Sequence, residues 1–456
     1  MKKLLFLALL AITVSCSKDD EPILNPDTDA GTESVNDSIT YFTLKVNEFY
    51  IGEIVNSGYL IINDNEGNIL AHTQIENNKE YVFKAKKGEE KESFTVSRFI
   101  YRNREFSQIN FLKSSFNIKK GTIWDFKGYD PSSITATTKK TNERLKSFSL
   151  KIQNISGHSG AKVSSNNRGS IWSSSSETTN SINYEPISCD ENQNKFLITV
   201  HFKSEKSKYF FIDNVQDQQE IIIDGSELKE FDSYIPINLP NDGNTYSKGL
   251  RANLTTEEIF ETASITKIES EAASTFGILE GFYNFYIHIT TSNTAKNYSY
   301  SYQNQKVSPS LEAITILPYS TDFKLINSSK NAFEFTTSQK YTTKVSRWSH
   351  QISDFNENQD RYDRWVFQSN ELAYQTIPKL PQEFFDLYPH FEVENLKYEE
   401  TKFLSYKGFF TDENSSENSN TMFTESLTFS NPDYNKSFKK NKDFEEIINE
   451  LQKYNY

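Results

Sequence analysis

The feature that most limits what this chain can fold into is a two-residue alternation of apolar and polar side chains in many short segments. The clearest hairpin among these segments is GYLIINDNEGNILAHTQI, residues 58–75, where two β-rich runs flank a DNEG turn cluster with Gly67 at a position that tolerates positive φ. The segments YFTLKV, KEYVFKA and ESFTVSRFIY continue the pattern. Alternation of this kind is typical of strands with one buried face. We therefore predict a mainly β protein.

Turns and linkers predict how these strands are grouped. We expect a β-sandwich module of the immunoglobulin-like type over residues 39–130, followed by a polar, basic linker. A second such module is predicted over residues 145–242, ending at a PNDG turn cluster. A mixed but β-rich region fills residues 250–456. Within it, a capping box from Thr255 to Glu258 predicts a short helix, and LPQEFFDLYP predicts one or two further helical turns.

The last segment with a clear pattern is DFEEIINELQKY, residues 443–454. Asp443 is placed to cap a helix, and Glu446 completes a capping box. The apolar residues of the segment form one helical stripe. We predict an amphipathic helix that docks on its own domain, a reading we favour over a helix that binds a partner.

The N-terminus has the pattern of an export signal. Lys2 and Lys3 precede an apolar run over residues 4–14. The run is shorter than the ~20 residues that a membrane-spanning helix needs. It does suit the apolar core of a secretory signal peptide, so we predict that residues 1–15 are such a peptide.

The residues that follow carry a resemblance to a known class. TVSC, residues 13–16, resembles a bacterial lipobox, with Thr13 where that pattern prefers Leu. The next five residues are similar to the surface-export signal of Bacteroidota lipoproteins: Ser17, Lys18, Asp19, Asp20 and Glu21. The resemblance implies that Cys16 becomes the lipidated N-terminus and that the protein is sorted to the outer face of the outer membrane. The resemblance covers about twenty residues and implies a cellular location, not an activity.

Composition limits the partners. The formal net charge is −13, and removing Lys2 and Lys3 makes it −15. Such an acidic chain does not suit nucleic acid, whose phosphates require basic patches. For residues 16–38, the resemblance implies a lipid anchor at Cys16, and the acidic, polar residues 17–38 predict a disordered tether. We expect contact with the membrane through the lipid, since two or more acyl chains anchor a protein stably.

Motifs for common cofactors are missing from the sequence. The six histidines are scattered and do not form H-E-x-x-H, and there is no C-x-x-C. No phosphate-binding or dinucleotide-binding glycine motif occurs either. We predict no metal and no cofactor, and no catalytic residue can be named. Of the two cysteines, Cys189 would lack a partner, and we favour a structural or incidental role for it.

One segment, residues 346–367, concentrates aromatic and planar polar side chains. Its candidate ligand-binding residues are Trp348, Tyr362, Arg364 and Trp365. Flat rings beside hydrogen-bonding side chains suit sugar recognition. The alternative is a strand pair whose tryptophans lie in the core, and we favour it. The acids of the segment could also include a glycosidase pair, which leaves no sequence motif.

Three functions therefore stay open. The first, which we favour, is a non-catalytic surface lipoprotein that binds an extracellular glycan or protein. The second is a surface glycoside hydrolase or other hydrolase whose carboxylates carry no recognisable motif. The third is a structural subunit of an envelope complex. Lipoproteins that serve carbohydrate uptake share the predicted cellular location and the architecture of β modules. This similarity is an analogy of fold only.

Overall fold

The computed structural model describes the folded body of the chain. It covers residues 38–434, with gaps at 53, 129–145, 167–168, 171–174, 191–192, 257, 272, 307–311, 357–358, 372–375 and 408–420. The predicted signal peptide, Cys16, the sorting segment and the helix at 443–454 lie outside the described residues, so those predictions stay predictions. Strands account for 61% of the structure and helix for 5%, which confirms the prediction of a mainly β, sandwich-type fold.

The first seven strands form two layers. They are β1 (Ser38–Val46), β2 (Ser57–Asn63), β3 (Ile69–Ile75), β4 (Lys79–Lys86), β5 (Ser93–Arg104), β6 (Ser107–Lys119) and β7 (Thr122–Phe126). One layer is a three-stranded sheet in the order β4-β1-β7, and the other is the run β3-β2-β5-β6. A core that includes Phe42, Leu60, Phe94 and Ile100 lies between them.

The predicted hairpin at residues 58–75 is confirmed. Strands β2 and β3 pair antiparallel across the turn, and Gly67 has φ +81°. Asp64 fixes the turn, since its side chain accepts hydrogen bonds from the backbone N–H of Glu66 at 3.0 Å and of Asn68 at 2.8 Å. The turn is local, so its residues alone are sufficient to specify it.

The next nine strands form two sheets around a separate core. They are β8 (Lys146–Gln153), β9 (His158–Ser165), β10 (Gly169–Ser170), β11 (Ser175–Glu177), β12 (Ser181–Cys189), β13 (Lys195–Phe202), β14 (Lys208–Asp213), β15 (Gln219–Asp224) and β16 (Lys229–Glu230). The sheets have the orders β10-β9-β13-β14-β16 and β11-β12-β8-β15. Phe148, Ile182, Phe196 and Ile198 pack between them, as in a sandwich.

The remaining residues add thirteen strands and one short α-helix. They are β17 (Ser233–Asn238), β18 (Ser247–Asn253), β19 (Ile259–Lys267), β20 (Thr275–Ile278), β21 (Tyr283–Asn293), β22 (Tyr298–Lys306), β23 (Ile314–Thr315), β24 (Lys324–Asn327), β25 (Glu334–Thr336), β26 (Thr343–Asn356), β27 (Gln359–Ser369), α1 (Gln382–Leu387), β28 (Lys397–Lys407) and β29 (Thr421–Ser430). Helix α1 confirms the helical turns predicted in LPQEFFDLYP. Short 3-10 turns occur at Gly225–Glu227, Lys330–Ala332 and Val393–Asn395.

The short helix predicted at Thr255 is wrong. Strands β18 and β19 pair antiparallel on either side of this segment, so it is a hairpin turn. The Thr255 hydroxyl does accept a hydrogen bond from the Glu258 N–H at 3.0 Å, as a capping box would require. Strand pairing on both sides overrides that local helix signal.

A twelve-stranded sheet joins the two ends of the chain. Its order is β19-β18-β21-β22-β29-β28-β26-β27-β6-β5-β2-β3. The junction is a parallel pairing of β27 with β6, from Asp360 opposite Ser107 to Gln368 opposite Ser115. Strands of the module predicted at 39–130 and of the region predicted at 250–456 therefore lie in one sheet. A pairing this distant in sequence leaves no local signal.

The two faces of this sheet have different surroundings. Residues directly opposite each other on paired strands share a face, so the register defines both faces. The inner face, with Trp348, Phe403 and Ile287, packs against α1 and the small sheets β20-β17-β23 and β24-β25. The outer face, with Val345 and Gln303, is covered by the three-stranded sheet at its β2-β5-β6-β27 end. Strands β2 and β5 are buried along most of their length because other layers cover both of their sides.

Candidate functional site

The two tryptophans singled out in the sequence lie in the core. Trp348 is 1% exposed and Trp365 is 2% exposed. Each indole N–H has an internal acceptor, since Trp348 Nε1 donates to the Ser328 carbonyl at 3.0 Å and Trp365 Nε1 donates to Ser114 Oγ at 2.9 Å. Neither ring offers a face to a sugar. Both rings therefore lie in the core, as in the alternative that we favoured for these residues.

The other two candidates lie on the opposite side of the sheet. Tyr362 and Arg364 are buried on the outer face, while both tryptophans lie on the inner face. Arg364 Nε donates to Ser349 Oγ at 3.0 Å, and its Nη2 lies 3.2 Å from Glu399 Oε2. Successive strand residues point to opposite faces, which is why a cluster in sequence is not a cluster in space. The four side chains do not form one site.

A carboxylate pair does occur in this segment. Arg361 Nη2 lies 3.3 Å from Asp363 Oδ2 and 2.6 Å from Glu392 Oε1. Burial raises the pKa of Asp363, whereas the hydrogen bond from Arg361 lowers the pKa of Glu392. Carboxyl groups with separated pKa values are typical of acid–base catalysis. Here, however, the Asp363 side chain is fully enclosed and its oxygens accept from Asn110 and the Glu392 N–H. This arrangement fastens residue 392 to the sheet.

A different set of side chains has the properties of a binding surface. We define the polar platform as Arg251, Tyr286, His288, Gln303 and Gln305, on the outer face of β18, β21 and β22. Tyr286 lies opposite both Arg251 and Gln305, and His288 lies opposite Gln303. Paired side chains of this kind have Cβ atoms about 5 Å apart. Register alone therefore makes the five residues one contiguous patch.

Four platform side chains have unused hydrogen-bonding groups. Tyr286, His288 and Gln303 are half-buried and Gln305 is exposed. None of these four side chains makes a hydrogen bond to another residue in the part of the chain that the structure describes. Within that part of the chain, their side-chain donors and acceptors are therefore not used.

Tyrosines on the inner face of β22 contrast with the platform. Tyr300 donates to Glu425 Oε1 at 2.8 Å, and Tyr302 accepts from Asn304 Nδ2 at 2.8 Å. The Tyr300 ring also stacks on Tyr319, with ring centroids 4.5 Å apart. One strand thus has hydrogen-bonded tyrosines on one side and unpaired amides on the other. The inner side serves packing, and the outer side is available for binding.

Charge at the platform is confined to one side. Arg251 Nη2 lies 3.1 Å from Glu261 Oε1, and Lys162 Nζ lies 3.1 Å from Glu261 Oε2. Burial raises the pKa of Tyr286, an effect that the charge of Arg251 opposes. Burial also lowers the pKa of His288, so its imidazole is neutral near pH 7. A neutral imidazole offers one N–H donor and one nitrogen acceptor.

Gly249 forms part of the floor beside His288. A β-carbon at this position would lie 3.5 Å from His288 Nδ1 and 3.5 Å from the Ala263 carbonyl oxygen. The absence of a side chain leaves the edge of the imidazole open. Gly249 pairs directly with His288 in the sheet. A ligand atom can therefore approach the imidazole at this point.

Sequence reasoning missed the platform although its signal was present. The segment GFYNFYIHI alternates in sequence, and the structure buries its apolar residues Phe285, Ile287 and Ile289 on one face of β21. The complementary positions carry Tyr286 and His288. On the neighbouring strand β22, YSYSYQNQK, the corresponding positions are Gln303 and Gln305. Which polar face stays open depends on the other layers of the fold, and that information is not local.

Other candidate chemistry is not supported. Within the described ranges, no three His, Cys, Asp or Glu residues come together as metal ligands. Cys189 is a buried free thiol. No helix among the residues described is long and apolar enough to cross a membrane.

Comparisons with known proteins do not assign a family. No family model matches the chain, and no curated protein matches it. One solved structure, described as "Ca2+-stabilized adhesin helps an Antarctic bacterium reach out and bind ice", aligns with 8% sequence identity and a TM-score of 0.11. The alignment covers 83% of this chain and 91% of that one. A likeness this low does not bear on fold or function.

Proposed function

We propose that this chain is a lipid-anchored surface protein that binds an extracellular glycan, without catalysis, on the polar platform. The carrying observation is the set of four side chains without a hydrogen-bond partner in the described chain, Tyr286, His288, Gln303 and Gln305, on one sheet face. Glycan hydroxyls need paired donors and acceptors, and the C–H faces of sugar rings need a flat apolar partner. Two planar amides, a neutral imidazole and a phenol ring supply both.

The proposal of a non-catalytic role draws on the enclosed state of Asp363. A glycosidase requires two carboxyl groups that face the scissile bond from a cleft. Asp363 has no exposed side-chain surface, while its partner Glu392 is 39% exposed. Substrate would have to break the contacts to Arg361 and Asn110 before reaching this acid. A structural role accounts for the pair without that cost.

Binding to immobilised polysaccharides tests the platform. Gln303→Ala and His288→Ala should each weaken retention on a bound polysaccharide at least about tenfold. Each change removes one uncharged hydrogen-bonding side chain and weakens a neighbouring contact with the ligand. Together these losses cost ~1.4 kcal/mol, which corresponds to a factor of ten in affinity. Gln219→Ala, at an exposed position on β15, is the matched control and should bind as the unmodified protein does. Equal retention of all three variants would remove the platform as the glycan site.

The proposed anchor is tested separately. Cys16→Ala should leave the protein unlipidated, because no other residue in the lipobox-like segment carries a thiol. Replacing Lys18, Asp19, Asp20 and Glu21 by alanine should retain the lipid but abolish cleavage by external protease on intact cells. Continued cleavage of the second variant would refute the export signal while leaving the platform untouched.

A further inference from the structure

Two arginines are buried in the core beneath the three-stranded sheet. Val96, Arg98, Ile100 and Arg102 are every second residue of β5, so their side chains lie on the same face. Val96 and Ile100 belong to the core on the outer face, and the two arginines therefore lie on that face too. Arg98 is 6% exposed and Arg102 is not exposed at all. Their α-carbons are about 13 Å apart along the strand. Two like charges thus enter the same apolar layer.

Arg98 has partial compensation inside that layer. Its Cζ lies 5.1 Å from the centre of the Phe126 ring, a distance that suits a cation–π contact. The Tyr50 ring stacks on Phe126 with centroids 4.9 Å apart. Burial raises the pKa of Tyr50, and the charge of Arg98 opposes that shift, which places the phenol near the guanidinium.

Arg102 has no such compensation. Its Nε, Nη1 and Nη2 are all buried, and none of them makes a hydrogen bond to any residue that the structure describes. A guanidinium stays protonated under all physiological conditions, so it cannot become neutral in response to burial. Enclosing an unpaired charge is strongly unfavourable. An anion beside the guanidinium would offset that cost.

Buried acids elsewhere in the described chain do not meet that need. There are two, Asp64 and Asp363. Asp64 accepts hydrogen bonds from backbone N–H groups in the β2–β3 turn. Asp363 lies on the inner face of the sheet, where it is bound by Asn110 and Arg361. The layer that holds Arg102 contains neither of them.

We propose that Arg102 binds a small oxyanion enclosed between the three-stranded sheet and β5. The planar guanidinium fork matches two oxygens of a tetrahedral or carboxylate group, and Arg98 adds positive charge on the same face. The site is separate from the polar platform on β18, β21 and β22. Inorganic phosphate and sulfate are the simplest ions of this class.

Ion release tests the site on the full-length protein. After exhaustive desalting, the unmodified protein should release about one oxyanion per chain when denatured, as measured by ion chromatography. Arg102→Met should release none. Arg104→Met is the matched control, because Arg104 lies on the same face of β5 but is exposed, and this variant should release as much anion as the unmodified protein.

Thermal unfolding gives a second measurement, which uses only the unmodified protein and so does not require any variant to fold. At constant ionic strength, phosphate or sulfate should raise the Tm of the desalted unmodified protein by at least about 2 °C, because ligand that binds the native state stabilises it. No released anion together with an unchanged Tm would overturn the proposal.

A carboxylate from the chain itself is the alternative source of oxygens. Glu53 lies between β1 and β2 in sequence and outside the described residues. If Glu53→Gln bound phosphate while the unmodified protein did not, the chain would fill the position with its own acid, and the proposal of a free anion would be wrong. If both proteins released the same amount of anion, the free-anion site would stand.

Discussion

The Asp363 carboxylate accepts a 2.7 Å hydrogen bond from the side-chain amide of Asn110, a residue 253 positions earlier in the chain. The two residues face each other across the parallel pairing of β27 with β6. Asp363 also lies 3.3 Å from Arg361. This buried contact fastens the N-terminal strands to the C-terminal strands at the one parallel junction of the twelve-stranded sheet.

Asp363→Asn should destabilise the protein by about 3 kcal/mol. The change keeps the shape of the side chain but removes the buried negative charge opposite Arg361, and breaking a buried pair is costly. Denaturant unfolding measures the free energy. Asp125→Asn is the control, because Asp125 and Lys127 form an ion pair in which both side chains are more than half exposed. Equal effects of the two changes would contradict a stabilising role for Asp363.

Trp365→Ala should destabilise the protein by ~3–5 kcal/mol. Removing a buried indole leaves a cavity and removes the N–H that donates to Ser114 Oγ. Phe106→Ala removes a large ring that is 66% exposed, so its effect on the unfolding free energy should be small. If Trp365→Ala lost glycan binding with full stability, the assignment of this residue to the core would fail.

Gly67→Ala should be more destabilising than Gly88→Ala. Both glycines have positive φ, so both replacements carry backbone strain of ~1–3 kcal/mol. At Gly67 the new β-carbon would also lie 2.6 Å from the Ile377 carbonyl oxygen, whereas at Gly88 nothing lies within 4 Å. The difference between the destabilisation by Gly67→Ala and that by Gly88→Ala measures the cost of the contact with the Ile377 carbonyl. No difference would mean that residue 377 yields freely.

His201 should make stability depend on pH. Burial, helped by the charges of Lys248 and Lys162, lowers the folded-state pKa of His201 from 6.5 to about 3. The unfolded chain therefore binds a proton below pH 6.5 that the folded protein does not. The free energy of unfolding should fall as the pH drops from about 6.5 towards 3, by at most ~1.4 kcal/mol per unit.

The variant His201→Asn separates this contribution from other titrating groups. Its unfolding free energy should fall less steeply between pH 6 and 4 than that of the unmodified protein. Between pH 7 and 8 the two curves should run parallel, because the imidazole is neutral in both states there. Identical slopes at low pH would exclude His201 as the source.

Sequence reasoning predicted what is specified locally. The turn at Gly67 and the helical turns of α1 each depend on neighbouring residues, and the structure confirms both. The helix signal at Thr255 was equally local but was overridden by strand pairing. The mainly β fold class followed from many such local patterns together.

Long-range arrangement was not accessible in the same way. Nothing near Ser107 indicates that it pairs with Asp360. Whether Trp348 is core or surface depends on the layers above it, such as α1 and residues 391–396, and not on its own segment. The polar platform was missed for the same reason. From sequence alone, a half-exposed glutamine cannot be distinguished from any other surface glutamine until the packing of the other layers is known.

The β6–β27 pairing sets an order of events during synthesis. β6 ends at Lys119 and its partner begins at Gln359, about 240 residues later. At synthesis rates of ~5–20 residues per second, that interval lasts on the order of 10–50 s. Throughout it, one edge of the N-terminal sheet has no neighbour from this chain, and an open edge invites pairing with other chains. The emerging polypeptide must therefore either stay unfolded or have that edge shielded until β27, in the last quarter of the chain, has been made.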